Sequence, residues 1–151
     1  MAIWNSNLML AGGGQANPSV APGTTRPVLG QVVFPAGATI AINDTIQLFY
    51  IGAGSLAHII AYWFDSSALD AGATLTLTFL DSLATPTTFF TANATLRAGA
   101  ILTHATTAHN SIGPAVGYTA QNLLFLRAAA GGTGALGAQQ TLNFGFEIMR
   151  D

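Results

Sequence analysis

The sequence predicts an all-β chain: a single β-sandwich or jelly-roll-like domain over residues 28–151, behind an extended N-terminal arm over 1–27. Three observations lead there. Apolar and polar residues alternate at period two in several separate runs, and clusters of turn-forming residues divide those runs at short intervals. Helical spacing is nearly absent, a turn near 66–69 being the best candidate. At 151 residues the chain has room for one core of ordinary size.

The arm is set apart by composition. Ile3, Trp4, Leu8, Met9 and Leu10 supply a few apolar anchors. Gly12, Gly13 and Gly14 follow, then Pro18, Pro22 and Pro27 among Ser, Asn and Thr. Glycine and proline at that density sustain neither a helix nor a core of their own. Such a segment is either a disordered tail or an arm that orders on a neighbour with Trp4 and Leu8 as anchors; fully extended, it reaches on the order of 80 Å, far enough to contact another subunit.

The strands follow in order. At 74–80, Leu75, Leu77 and Phe79 alternate with Thr74, Thr76 and Thr78, and β-branched threonine suits the outer side of a pleated strand. At 141–148, Leu142, Phe144, Phe146 and Ile148 face one way, with Thr141, Asn143, Gly145 and Glu147 opposite. Ile46, Leu48 and Tyr50 form a third alternating set. Residues 58–64 are apolar on both sides, with Ile59, Ala61 and Trp63 against Ile60, Tyr62 and Phe64, and 123–126 is a continuous apolar run. Both are expected to be covered twice. Shorter strand candidates are 29–34, 38–42, 87–91 and 100–104. Turns are expected at 35–37, 43–44, 52–55, 70–72 and 131–137.

Charge is scarce. Only 7% of the residues are charged, there is no lysine, and the cations are Arg26, Arg97, Arg127 and Arg150. An ordinary soluble domain carries roughly 25%, so much of this exterior is expected to be covered by other copies or by a partner. Four scattered arginines and a net charge of −2 make no basic stripe, which argues against nucleic acid as a partner. The absence of cysteine excludes disulfides and Cys-ligated zinc. The first twenty residues lack the basic start and apolar run of a signal peptide. Residues 45–64 have the length of a membrane span without a fixed charge before Asp65, but Gly52, Gly54 and Ser55 in their middle mark a turn between strands. No membrane association is expected.

No constellation for catalysis, cofactor or metal is expected. His104 and His109 sit in a Thr/Ala-rich segment and His58 in an apolar strand, while no Asp or Glu lies between Asp81 and Glu147 to support a metal site. Asp65, Asp70 and Asp81 stand at strand ends, where aspartate caps turns through its own carboxylate. Ser55 lacks the following glycine of a nucleophile elbow. The glycines at 12–14 lack a strand before and a helix after them, and those at 131–134 lack the lysine of a phosphate loop.

Four stretches carry a family resemblance: the lead into Arg26 and Pro27 before the strand at 28–34; 41–48 (Ala-Ile-Asn-Asp-Thr-Ile-Gln-Leu); 64–77, where Leu69, Asp70 and Gly72 turn into an alternating strand; and 137–148. With these patterns of strand and turn, the chain resembles the small capsid decoration, or cement, proteins of tailed bacteriophages, including those infecting cyanobacteria. The resemblance implies a β-sandwich assembled as a homotrimer on the outer capsid surface at local three-fold positions, clamping neighbouring subunits of the major capsid protein. It also implies an arm that reaches an adjacent subunit.

The favoured expectation is therefore a non-enzymatic virion protein that stabilises a phage capsid from outside. Its expected contact residues are Trp4, Leu8 and Leu10 in the arm and Tyr62 and Phe64 on the sandwich. The alternatives are a phage tail or fibre component, and a carbohydrate-binding sandwich with Tyr62 and Trp63 as a stacking platform.

Overall fold

A computed structural model describes residues 1–10, 15–16, 25–51, 57–105 and 121–150, with side chains throughout except at 15–16, 25–26, 57–58, 104–105 and 150. The strands are β1 (Ile3–Asn5), β2 (Gln15–Ala16), β3 (Thr25–Phe34), β4 (Thr45–Ile51), β5 (Ala57–Ser66), β6 (Thr76–Asp81), β7 (Thr88–Asn93), β8 (Ile101–Ala105), β9 (Asn122–Ala130) and β10 (Gln140–Arg150). One sheet runs β3-β10-β5-β8. The other runs β1-β4-β9-β6-β7, with β2 also pairing β4. From β3 to β10 the chain passes repeatedly between the sheets, so that strands close in sequence are rarely neighbours. All ladders among these eight strands are antiparallel. This is the double-sheet wrapping of a jelly roll.

The alternating runs place the core between the sheets. Leu142, Phe144, Phe146 and Ile148 of β10 meet Ile46, Leu48, Phe49, Leu77, Phe79, Leu124 and Leu126 of the opposite sheet. The centre is aromatic: Tyr62 lies 5.3 Å from Phe79 and 6.1 Å from Phe146, and Phe79 stacks on Phe89 at 4.4 Å. Such offset and edge-to-face pairs add to area burial.

Two alternating sets differ from the expected ones, and a bulge explains each. Between Gln47 and Phe49 the register with β9 shifts, so Leu48 and Phe49 are both buried and Tyr50 turns outward. Opposite Glu147 and Ile148, Ile60 is the extra residue of β5. Ile59 thereby joins Tyr62 and Phe64 on the inner face, and Trp63 is left outside. An extra residue in one strand inverts the alternation beyond it.

Residues 38–42 are not a strand. They run beside the 131–137 loop, the Ala38 and Ile40 carbonyls accepting from Leu136 and Gly132 at 2.8 Å each. The helical pieces are a single turn, α1 (Asn7–Leu10), and a 3-10 turn at Thr95–Ala98, rather than the 66–69 turn. The aspartates at 44, 70 and 81 serve turns. Asp70 accepts from the amides of Gly72 at 2.8 Å and Leu75 at 2.7 Å, and Asp81 from those of Leu83 and Thr87. Asp65 instead stands within β5, its backbone paired to Asn143 and Ile101. The expected turn at 52–55 lies outside the described residues.

Within the 1–27 segment, the described residues lie along the sandwich. β1 pairs parallel with β4, and α1 leads away from the junction. Ser6 joins both sheets. Its amide donates to Gln47 O at 3.0 Å, its hydroxyl donates to Leu48 O, and it forms an antiparallel bridge with Val32 of β3. Beside it, Asn7 Oδ1 accepts from the Gln31 amide at 2.8 Å.

Candidate interaction surface

Among the described residues, no three of His, Cys, Asp and Glu come together to hold a metal ion, and no helix is long and apolar enough to cross a membrane. His109 and the side chains of His58 and His104 lie outside the description.

The expected contact residues separate into three groups. Tyr62 and Phe64 are buried in the core, packed on Phe79, Phe90 and Phe146. This corrects their assignment to an interface: β5 turns its even-numbered residues inward here, so no partner reaches them. Burial also pushes the Tyr62 phenol up to about 12. Trp4 and Leu8 are half-buried against the chain's own core, the Trp4 ring 5.2 Å from Phe34. Leu10 is open to solvent.

The paired glycan platform is also corrected, since Tyr62 and Trp63 face opposite sides of β5 and only Trp63 is outside. The indole of Trp63 lies across Gly145 of β10, where an added Cβ would come within 2.2 Å of Nε1. The absence of a side chain at 145 is what lets the ring lie flat.

Register assembles the surface around Trp63. Across β3, β10, β5 and β8, Leu29, Gly145, Trp63 and Thr103 form one row; Gln31, Asn143, Asp65 and Ile101 form the next. Gln31 Nε2 donates to Asn143 Oδ1 at 2.7 Å within the second row. Leu29 (62% exposed), Val33 (44%), Trp63 (37%) and Ile101 (67%) all stand on this outer face. Its charges, among side chains described, are Asp65 and Glu147.

The opposite outer face has another character. Thr45, Gln47, Thr76 and Thr78 dominate it, and the Arg127 guanidinium sits 5.6 Å from the centre of the Phe125 ring. Leu29 and Val33 carried a usable signal in the sequence, since they alternate with Val28 and Val32. Trp63 and Ile101 did not, because their faces depend on the β5 bulge and on the β5–β8 pairing.

No protein-family model and no curated protein matches the sequence. Solved structures do. The fold matches a chain from the capsid of Ralstonia phage GP4 with a TM-score of 0.71, over 99% of each chain at 17% identity. It matches a chain from the cyanophage Pam1 capsid asymmetric unit with a TM-score of 0.54, over 90% of this chain and 95% of that one, at 18% identity. The protein therefore shares the jelly-roll fold of chains found in two phage capsid structures.

Proposed function

We propose that this chain is a non-enzymatic structural protein of a phage virion, a capsid decoration protein that binds the outside of the shell as a homotrimer and bridges subunits of the major capsid protein. The observation that carries the reading is coverage. The match to the chain from the Ralstonia phage GP4 capsid takes in 99% of both chains, so the likeness extends over the entire fold and not over a part of it. The scarcity of charge supports it independently, as an exterior built this way is suited to being covered.

The mechanism is thermodynamic. A protein that binds the assembled shell, and not dispersed subunits, stabilises the shell by mass action. A trimer bound through three ordinary contacts, each about 800 Å² per partner, gains further from multivalency. In this reading the 1–27 segment contributes contacts through Leu10 and the residues beyond it, while Trp4 and Leu8 hold its start on the sandwich.

The test is co-sedimentation of the purified protein with expanded shells of the source phage that lack it, with the thermal disruption of those shells recorded alongside. Saturable binding and a raised disruption temperature are expected, together with a native mass of three chains. Failure to bind the shell, or labelling of the tail by an antibody to this chain, overturns the reading in favour of a tail or fibre role.

A further inference from the structure

Among the described residues, no element of this chain packs on the outer face of the β3-β10-β5-β8 sheet. Eight large apolar residues are exposed among those described, and four of them, Leu29, Val33, Trp63 and Ile101, share this one face. Taking about 150–250 Å² for a fully exposed large apolar side chain, their open area comes to roughly 400 Å². That is the size of the largest apolar patch on a typical monomer and about half of one side of a standard interface. The bare backbone of Gly145 leaves room for the Trp63 ring to lie flat on the sheet, so one face of the indole is presented outward.

Charge selects the occupant. Asp65 stands in the row of Ile101, Glu147 lies on the neighbouring strand two residues from Gly145, and no described cation shares the face. A second copy packed by the same face about a two-fold axis would set these carboxylates against their own images, which is unfavourable. The three-fold contacts of the proposed homotrimer join different faces and not this one to itself. An apolar surface that also carries arginine or lysine would meet both the exposed apolar residues and the carboxylates set among them. The opposite sheet offers a weaker candidate, as its outer face is threonine- and glutamine-rich and its Phe125 is already overlaid by Arg127.

We infer that the outer face of this sheet, centred on Trp63 with Leu29, Val33 and Ile101 around it and Asp65 and Glu147 among them on the two central strands, is the face that docks on the shell, against an apolar surface of the shell protein that also carries basic residues. The inference rests on the virion reading above. It goes further in assigning the contact to one face and one chemistry.

The experiment compares wild type with Leu29→Asp, Ile101→Asp and Glu147→Lys in co-sedimentation with shells that lack this protein, with Thr78→Asp on the opposite face as control. All four positions lie outside the core, and thermal melting checks that each variant folds. The two aspartate variants are expected to bind roughly tenfold more weakly or worse, as for loss of a contact at an interface centre. Glu147→Lys is expected to weaken binding most at low salt, and Thr78→Asp to bind like wild type. Wild-type emission from Trp63 is expected to shift to the blue on binding. If wild type binds and the aspartate variants bind equally well, the face is wrongly assigned while the virion reading stands. If wild type does not bind, both fall. If Leu29→Asp dissociates the oligomer but its chains still occupy the shell, the face belongs to a second copy and the inference is overturned.

Discussion

Gly30 and Gly145 are neighbours in the β3-β10-β5-β8 sheet, yet they face opposite ways and answer to different rings. A Cβ at Gly30 would stand 2.3 Å from Phe144 Cζ, inside the core, where the ring has nowhere to go. Gly30→Ala is expected to cost about 2–3 kcal/mol of stability in denaturant unfolding, the range of overpacked cores. Gly145→Ala meets an indole that can swing into solvent, so it is expected to cost less than about 1 kcal/mol and to change Trp63 emission instead. Two ionisable residues predict opposite pH limits. Burial works to raise the Asp70 carboxyl, but the amides of Leu75, Gly72, Thr74 and Thr133 outweigh it and hold it below its ordinary value of 3.8. A depressed folded value contributes stability above 3.8 that is lost as the pH falls further. Asp70→Asn is therefore expected to be less stable than wild type at neutral pH and to lose less on acidification, read from unfolding midpoints. Tyr62 is the reverse case. With its phenol raised from 10.0 to about 12, its contribution is complete below pH 10.0 and disappears as the pH rises towards about 12. Tyr62→Phe is expected to keep its stability further into that alkaline range.

At the scale of elements, the N-terminal residues act as a fastening. β1 extends the sheet at β4, Ser6 ties β4 to the edge strand β3, and Trp4 covers Phe34 at the open end of the core. Removing residues 1–10 is expected to lower stability by about 2–4 kcal/mol, from the loss of a half-buried tryptophan and of the Ser6 hydrogen bonds. Chemical denaturation of the truncated chain checks this; an unchanged midpoint would show that the segment does not fasten the sandwich. Most strands were legible in the sequence because an exposed sheet face next to a buried one imposes period two. Residues 38–42 carry a strand-like pattern without pairing as a strand. Ile40 is buried and its neighbours are not, which imitates a strand, but its carbonyl is satisfied by Gly132 of a loop. β1 was read only as anchors in an arm, because three residues are too few to show a period.

For the whole molecule, the two outer faces divide the work of a sparse charge set. One carries acidic groups among exposed apolar residues, and the other carries Arg127 among threonines and glutamine. A chain with 7% charged residues has little electrostatic protection against association. On its own it is expected to lose solubility as concentration rises, and Ile101→Asp is expected to raise the concentration at which light scattering first increases.

The sequence by itself determined the all-β class, the strands with clean alternation, the aspartate-capped turns and the poverty of charge, since each is set by local periodicity or by composition. Its patterns of strand and turn also pointed towards phage capsid proteins, and the fold is shared with chains of two phage capsid structures. Only the tertiary structure decided which face each apolar residue serves. Two bulges, at Gln47–Phe49 and opposite Glu147–Ile148, moved Phe49 and Ile59 inward, turned Tyr50 outward and left Trp63 on the surface. A bulge answers to the partner strand's register, and that partner lies far away in sequence: β10 for Ile60, β9 for Leu48. Local periodicity has no access to it, which is why Tyr62 and Phe64 belong to the core and the exposed face centres on Trp63.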